Sequence, residues 1–360
     1  MTAIAAHSFP DDIIRATARP DCFVCGANGV ALYEDLTDRF FGASGHWNFV
    51  RCSDRECAMV WLDPMPIEQD IWKAYRNYYT HYDPAAGKTH AAPTGSLRAI
   101  SQSIKRAYIA ARLAHPEHRV SVREKLLGVL GYLDPTRRAD TDFPLKYLPF
   151  KRDGRLLDVG CGGGDLLGTM RSFGWETAGV DFDPAAVAAA RRKSFKAKLG
   201  QLEDQKYPDT YFDAVVMSHV IEHVHAPLEL IKEARRVLKC GGRLLMATPN
   251  IRGLGHRWMG RRWPFLDPPR HLQVFSPRAL MVLTRAAGFD DVRVCTGIRT
   301  AAAMLALAEQ SRSKSELPFD GALRPSRPTR IASRAIAYGE NLALHLDPTA
   351  GEEITLVAVR

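Results

Sequence analysis

Three groups of residues in this 360-residue chain have types and spacings that could do chemistry. The first is four cysteines in two pairs, Cys22-Phe23-Val24-Cys25-Gly26 and Cys52-Ser53-Asp54-Arg55-Glu56-Cys57. A Cys-x-x-Cys turn aims two thiolates at one point, Gly26 permits the tight backbone behind them, and the second pair completes four tetrahedral ligands for a structural zinc ion. The second pair encloses four residues where two are usual, and His46 stands by as a spare ligand. Disulfide pairing is the competing reading, which a reducing cytoplasm disfavours. Cys161, Cys240 and Cys295 are scattered and read as ordinary buried thiols.

The second group is the stretch Leu156-Leu157-Asp158-Val159-Gly160-Cys161-Gly162-Gly163-Gly164-Asp165. A short apolar run enters a turn with four glycines in five residues, and a helix-period segment follows from Leu166. Such glycines let the backbone turn sharply and let a ligand approach the main chain. Strand, turn and helix make the first unit of a nucleotide-binding α/β domain. A dinucleotide fingerprint would put a third glycine where Asp165 stands, and an acid there repels pyrophosphate. Asp158 and Asp165 instead suit a ligand bearing an ammonium and a sulfonium, S-adenosylmethionine (SAM). Asp181 ends the next apolar strand, 17 positions after Gly164, where a carboxylate accepts bonds from ribose hydroxyls.

The third group is Ser218-His219-Val220-Ile221-Glu222-His223, directly after the apolar run Asp213–Met217. On a helix His219, Glu222 and His223 would share a side, and a histidine there is a candidate proton acceptor. His271 follows in a segment from Thr248 to Phe275 read as irregular, rich in cations and tryptophans: Arg252, His256, Arg257, Trp258, Arg261, Arg262, Trp263 and Arg270. Loops after strands carry specificity.

These positions need a parallel sheet. Strands are expected at 156–159, 177–180, 197–200, 213–217, 243–248 and 291–295, with Ile354–Val359 as an antiparallel seventh. Helices are expected at 166–173, after Asp183-Pro184, at 228–238 and at 278–287. The expected fold is α/β, a Rossmann-like seven-stranded sheet with an N-terminal zinc ribbon and a helical cap. Residues 1–83 form the zinc-binding segment, with strands at 29–36 and 46–51 and a Tyr-rich lid (Trp72, Tyr75, Tyr78, Tyr79, Tyr82 and His81). Trp72, Tyr75 and Tyr79 would share one helical face. Residues 84–150 form a linker and two cap helices (96–113 and 120–133), and residues 151–360 the catalytic domain. An insertion at about 297–351 holds helices 301–307 and 331–346 and reads as a lid or homodimer element.

The block from Asp158 through Asp181 resembles the first two motifs of class I SAM-dependent methyltransferases, and the resemblance extends to Arg360. It implies SAM contacts from Asp158, Gly160, Cys161, Gly162, Gly164, Asp181 and Phe182, adenine contacts from Leu202 and Glu203, and a contact from Ser218. A zinc segment, a Tyr-rich stretch and a SAM domain together resemble bacterial methyltransferases that tailor sugars, polysaccharides and natural products, and Asp267-Pro268-Pro269-Arg270-His271-Leu272 resembles a recurring element of that group. The Glu222-His223 pair is similar to an element of the ubiquinone-pathway O-methyltransferases and of small-RNA 2′-O-methyltransferases. There it helps bind a divalent metal such as Mg²⁺, although the acid those families carry three places earlier is His219 here.

Net charge is +9, and the surplus lies in residues 98–152 (12 Lys/Arg against 5 Asp/Glu) and 250–300 (9 against 3). Both segments flank the cofactor core, which suits an anionic or carrier-bound small-molecule substrate. No apolar run reaches the ~18 residues that span a bilayer, and residues 1–20 lack a signal core, so a cytoplasmic protein is expected. The expected reaction is methyl transfer to a hydroxyl (nitrogen second), with His219 and His271 ranked ahead of His223 as base. The alternatives are an RNA or tRNA methyltransferase, which the basic segments favour, and a SAM-binding regulatory or scaffold protein.

Overall fold

The computed structural model describes residues 13–77, 133–148, 151–311 and 325–360, with isolated helical positions between 104 and 128. The expected linker 84–95, Tyr78, Tyr79, His81 and Tyr82 lie outside the described residues, as does most of both cap helices. Strands are β1 (Ala16–Thr17), β2 (Gly29–Leu36), β3 (Trp47–Cys52), β4 (Val60–Leu62), β5 (Met65–Pro66), β6 (Arg155–Val159), β7 (Glu176–Asp181), β8 (Lys196–Leu199), β9 (Phe212–Ser218), β10 (Leu238–Pro249), β11 (Gln273–Val274), β12 (Asp291–Gly297) and β13 (Glu353–Val359). Helices are α1 (Pro135–Asp142), α2 (Asp165–Ser172), α3 (Pro184–Arg192), α4 (Pro227–Val237), α5 (Leu254–Met259), α6 (Pro277–Ala286), α7 (Ala301–Gln310) and α8 (Arg327–Ala343).

The large sheet has the order β12-β13-β10-β9-β6-β7-β8, parallel except for β13, which runs antiparallel between β10 and β12. β9 lies between β6 and β10, so Ala214, Val215, Val216 and Met217 are buried on both faces, as a continuous apolar run requires. Local chemistry starts the helices: Asp183 accepts from the Ala185 amide (2.8 Å) ahead of Pro184, and Ser276 accepts from the Ala279 amide (3.0 Å) ahead of Pro277. Parallel order with helical crossovers brings the carboxyl ends of β6, β7, β9 and β10 to one edge, where ligands bind in such sheets.

A second sheet, β11-β4-β3-β2, joins distant parts of the chain. Its strands β2 to β4 come from the cysteine-bearing segment, while β11 follows β10 and sits just after His271. Leu62 N–H donates to the Leu272 carbonyl at 2.9 Å, and Leu272 N–H donates to the Glu222 carbonyl at 2.9 Å. One apolar core runs from Cys22, Cys52 and Trp61 through Val215 and Met217 to Ile354.

Several local expectations are corrected. Residues 71–75 form a 3-10 helix rather than a longer α-helix, so Trp72 is half exposed under Arg76 while Tyr75 is buried. The segment after β10 is not irregular throughout, because α5 and two 3-10 turns occupy it. Trp263 and Arg270 are fully buried there rather than facing a ligand. The second insertion helix begins and ends about four residues earlier than expected, at the Ser326 cap ahead of Pro328. Cys240 and Cys295 are exposed rather than buried.

Candidate functional site

At the carboxyl edge of the large sheet lies a cavity of about 660 Å³, within the usual range for small-molecule sites. Its cofactor-like side is lined by Gly160, Gly162, Asp181, Phe182, Leu202, Glu203 and Ser218. Gly160 has φ +73°, and a Cβ there would meet Val220 at 2.4 Å, so only glycine fits between β6 and the loop after β9. Asp181 accepts from the Gly162 amide (2.8 Å) and the Asp183 amide (2.9 Å), which holds the glycine turn against β7. Burial pushes its carboxyl above the ordinary value despite those bonds.

Three expected contacts do not line this cavity. Asp158 is buried within β6, where burial first and Asp181 second raise its carboxyl well above the usual range. The Cys161 thiol is buried against Gly179, and Gly164 serves as the left-handed cap of α2 under Phe195. Asp165 is exposed and paired with Lys193 at 2.8 Å, so it offers nothing to an ammonium in the cavity.

The other side of the cavity is lined by His219, His223 and His271 together with Phe40, Phe41, Tyr75, Phe265 and Leu307. His219 is not helical: it has φ +56°, and only Ile221–His223 form a 3-10 turn. It nevertheless meets Glu222, since Nδ1 lies 3.2 Å from Glu222 and Nε2 lies 3.0 Å from Glu353. Burial alone would lower its pKa, but hydrogen bonds to the two carboxylates override that and push it up to about 9. The two carboxylates favour the charged form of His219 and engage both ring nitrogens, with Arg299 also 3.4 Å from Nε2, which makes it a weaker proton acceptor than its neighbours. Arg299 completes the network through Glu353 (2.6 Å) and Ser218 (3.2 Å) and lies over the Phe143 ring. Glu222 is fully buried and accepts from the Thr248 hydroxyl at 3.0 Å; burial would raise its carboxyl, but the His219 bond holds it down at about 2.

His223 and His271 differ from His219. His223 Nδ1 lies 3.0 Å from the Arg270 carbonyl and His271 Nδ1 lies 2.7 Å from the Phe265 carbonyl. A carbonyl only accepts, so both Nδ1 atoms carry a proton, and in the neutral tautomer this leaves the lone pair on Nε2. The rings meet edge to face at 4.7 Å. Burial first and His271 second bring His223 down to about 4, so it is neutral. Tyr75 Oη sits 3.0 Å from the same Nδ1, and its ring packs on Phe182 at 5.1 Å. The cysteine-bearing segment thus places one aromatic between the two halves of the cavity.

A methyltransferase-domain family model matches residues 135–294. The chain is 32% identical over 177 residues to a ubiquinone biosynthesis O-methyltransferase of Cereibacter sphaeroides, covering 45% of this chain and 71% of the relative. It is 30% identical over 196 residues to a probable methyltransferase of Aspergillus luteorubrus, covering 45% of this chain and 67% of the relative. The chain belongs to the class I SAM-dependent methyltransferases. Among solved structures, a SAM-dependent methyltransferase of Archaeoglobus fulgidus matches with a TM-score of 0.43 at 21% identity, over 62% of this chain and 92% of that one.

In this methyltransferase the four N-terminal cysteines come together. Cys22, Cys25, Cys52 and Cys57 have sulfur atoms all within 4.8 Å of one another, with Cys22–Cys57 at 3.7 Å and Cys25–Cys52 at 3.3 Å. A tetrahedron with Zn–S bonds of about 2.3 Å puts sulfurs about 3.8 Å apart, close to these separations, so the donor set fits zinc. His46 is not part of it, being exposed and held by Asp35 at 2.5 Å.

Sequence reasoning missed Phe40, Phe41, Arg299, Leu307 and Glu353 in this methyltransferase. Only Glu353 left a signal, the acidic pair Glu352-Glu353 directly before the apolar run Ile354–Val359. Arg299 meets Glu353 across 54 positions of sequence, which no local pattern marks.

Proposed function

We propose that the enzyme transfers the methyl group of SAM to a hydroxyl of a small molecule, such as a sugar or secondary metabolite, with His271 or His223 as the base. Asp181 holds the ribose hydroxyls, Leu202 and Glu203 flank the adenine, and Ser218 stands where the loop after β9 meets the cofactor. The hydroxyl oxygen attacks the sulfonium methyl in line, the C–S bond breaks, and S-adenosylhomocysteine leaves as the imidazole takes the hydroxyl proton. Alignment carries much of the rate, and the base removes charge as the O–C bond forms. The observation that carries the reading is the pair of imidazoles on the cavity wall, each with its Nδ1–H spent on a backbone carbonyl. The O-methyltransferase named among the relatives supports oxygen as the acceptor atom. The test is His271→Ala and His223→Ala, assayed for S-adenosylhomocysteine formation over a panel of hydroxyl compounds, with SAM affinity measured separately. A loss of about 10²–10⁴ in rate with SAM binding retained is expected in at least one variant. Turnover within threefold of wild type in both variants refutes the assignment.

A second reading rests on one further observation. Glu222, His223 and His271 each offer a donor atom within 4.8 Å of the others, and both imidazoles donate the opposite N–H to a carbonyl, as metal-ligating histidines do. One carboxylate and two imidazoles suit Mn²⁺, Fe²⁺ or Zn²⁺ better than Mg²⁺, which prefers oxygen ligands. A divalent cation there would lower the pKa of an acceptor hydroxyl. Activity lost in EDTA and restored by Mn²⁺ selects this reading, and activity indifferent to EDTA selects the histidine base. We assign Cys22, Cys25, Cys52 and Cys57 to a structural zinc ion.

A further inference from the structure

A second, smaller hollow lies on the other side of the wall of the acceptor cavity. It measures about 280 Å³ and is lined by Asp35, Thr37, Arg39, Arg261, Arg262 and Pro268, with Leu36 and Leu266 beneath. Three arginines line one small space. None of the three is in an ion pair with a carboxylate among the described residues. Arg39 donates only to the Arg262 and Trp263 carbonyls, at 3.3–3.4 Å. Arg261 donates to the Glu34 carbonyl at 3.1 Å. The acids nearby are already engaged. Asp38 and Asp267 are both clamped on Arg270, and Asp35 holds His46. Three arginines against one lining carboxylate, Asp35, leave the hollow cationic with forked donors to spare, and half-burial of Arg39 reduces the screening that water would supply.

We propose that Arg39, Arg261 and Arg262 form a binding site for a phosphoryl group, distinct from the SAM cavity. Planar guanidinium forks match phosphoryl oxygens in pairs of parallel hydrogen bonds, and three forks supply more donors than a single carboxylate can accept. The Thr37 hydroxyl adds one further donor to the lining. The position is informative as well. Arg39 precedes Phe40, while Leu266 and Pro268 flank Asp267, and Phe40 and Asp267 both line the large cavity. The two hollows thus share the segments around residues 39–40 and 266–268 as a common wall. The site does not depend on the methyl-transfer reading. That the phosphoryl group is carried by the acceptor, as in a sugar nucleotide, does rest on it.

The test is calorimetry on the full chain with inorganic pyrophosphate at fixed ionic strength, in wild type and in the double variant R261A/R262A, both at exposed positions. Saturable binding in wild type, weakened at least tenfold in the double variant while S-adenosylhomocysteine affinity stays within twofold, is the expected result. No saturable binding in wild type, or the same affinity in both proteins, overturns the proposal. Should the double variant fail to bind S-adenosylhomocysteine, the single variants R261A and R262A are read by the same criterion. A second arm uses UDP-glucose with S-adenosylhomocysteine present. Binding at least tenfold tighter than pyrophosphate, with that margin lost in R261A/R262A, assigns the phosphoryl group to the acceptor. Equal affinities identify a free-anion site. Failure of the methyltransferase reading would show separately, as absent S-adenosylhomocysteine binding in wild type.

Discussion

Replacing Arg270 with methionine tests how the cysteine-bearing segment is fastened to the catalytic wall. The Arg270 guanidinium is fully buried, with Asp38 at 2.6 and 2.7 Å and Asp267 at 2.5 and 3.0 Å. It also donates to the Ala74 carbonyl at 3.2 Å and lies over the Phe41 ring. Asp38 in turn accepts from the amides of Phe40, Phe41 and Ala43, so the loop that lines the acceptor cavity hangs from this one cation. Arg270→Met keeps the volume and removes the charge, leaving two carboxylates in a dry space. Breaking a buried pair costs about 3–5 kcal/mol, a large part of the 5–15 kcal/mol that stabilises a typical domain. The loss should also depend on pH. Burial would raise the Asp267 carboxyl, but Arg270 holds it below its ordinary value. In wild type its contribution is present above the unfolded pKa and is lost as pH falls through the folded one. Without Arg270 the same carboxyl is buried and unpaired, so its folded pKa rises above the unfolded value and the variant regains stability as pH drops toward about 5. Urea denaturation followed by tryptophan fluorescence at pH 7.5 and 5.5 reads both effects. A loss below 1 kcal/mol at pH 7.5, or an equal loss at both pH values, would refute the argument. The double variant Arg270→Met/Asp267→Asn should recover part of the loss.

Three further outcomes are expected. If Asp181 accepts two ribose bonds as proposed, Asp181→Ala should weaken SAM binding ten- to a hundredfold, about 1.5–3 kcal/mol, by calorimetry; unchanged affinity would exclude Asp181 from the site. Elemental analysis should find one zinc per chain, released when Cys52 is changed to serine, and no zinc in wild type would exclude the tetrathiolate assignment. Glu340 is buried, and burial first and Glu352 second push its carboxyl up to about 8. A folded pKa above the unfolded one makes wild-type stability fall as pH rises from about 5 to 8, by an upper bound of about 5 kcal/mol. Glu340→Gln should flatten that slope, and an unchanged slope would show that Glu340 ionises freely.

The sheet was legible because its central strands are buried on both faces and read as apolar runs, and because glycine, Asp183 and Ser276 mark the turns and caps at single positions. The cysteine cluster was legible for a similar reason, since ligand spacing is itself local. The chemistry of the histidines was not. His219 resembles a base by its position after β9, yet both its ring nitrogens meet carboxylates, Glu222 three residues on and Glu353, 134 residues away. The tautomers of His223 and His271 depend on carbonyls of Arg270 and Phe265, which a sequence presents without distinguishing them from any others. Tyr75 was noticed as one of an aromatic group; its separation from Trp72 follows from the tight 3-10 turn, which no helical wheel anticipates.

The pairing of β11 with β4 means that the cysteine-bearing segment and the catalytic wall are one woven piece rather than two beads on a string. The thread runs from the Cys57 carbonyl to Ser276, and from Leu62 through Leu272 to Glu222, by main-chain and hydroxyl hydrogen bonds. A catalytic fragment trimmed of its first hundred residues would keep the seven-stranded sheet yet leave β11 as a raw, unpaired edge beside His271, open to pairing with another chain. Whatever holds the four thiols together therefore also holds the strand beside His271 in register.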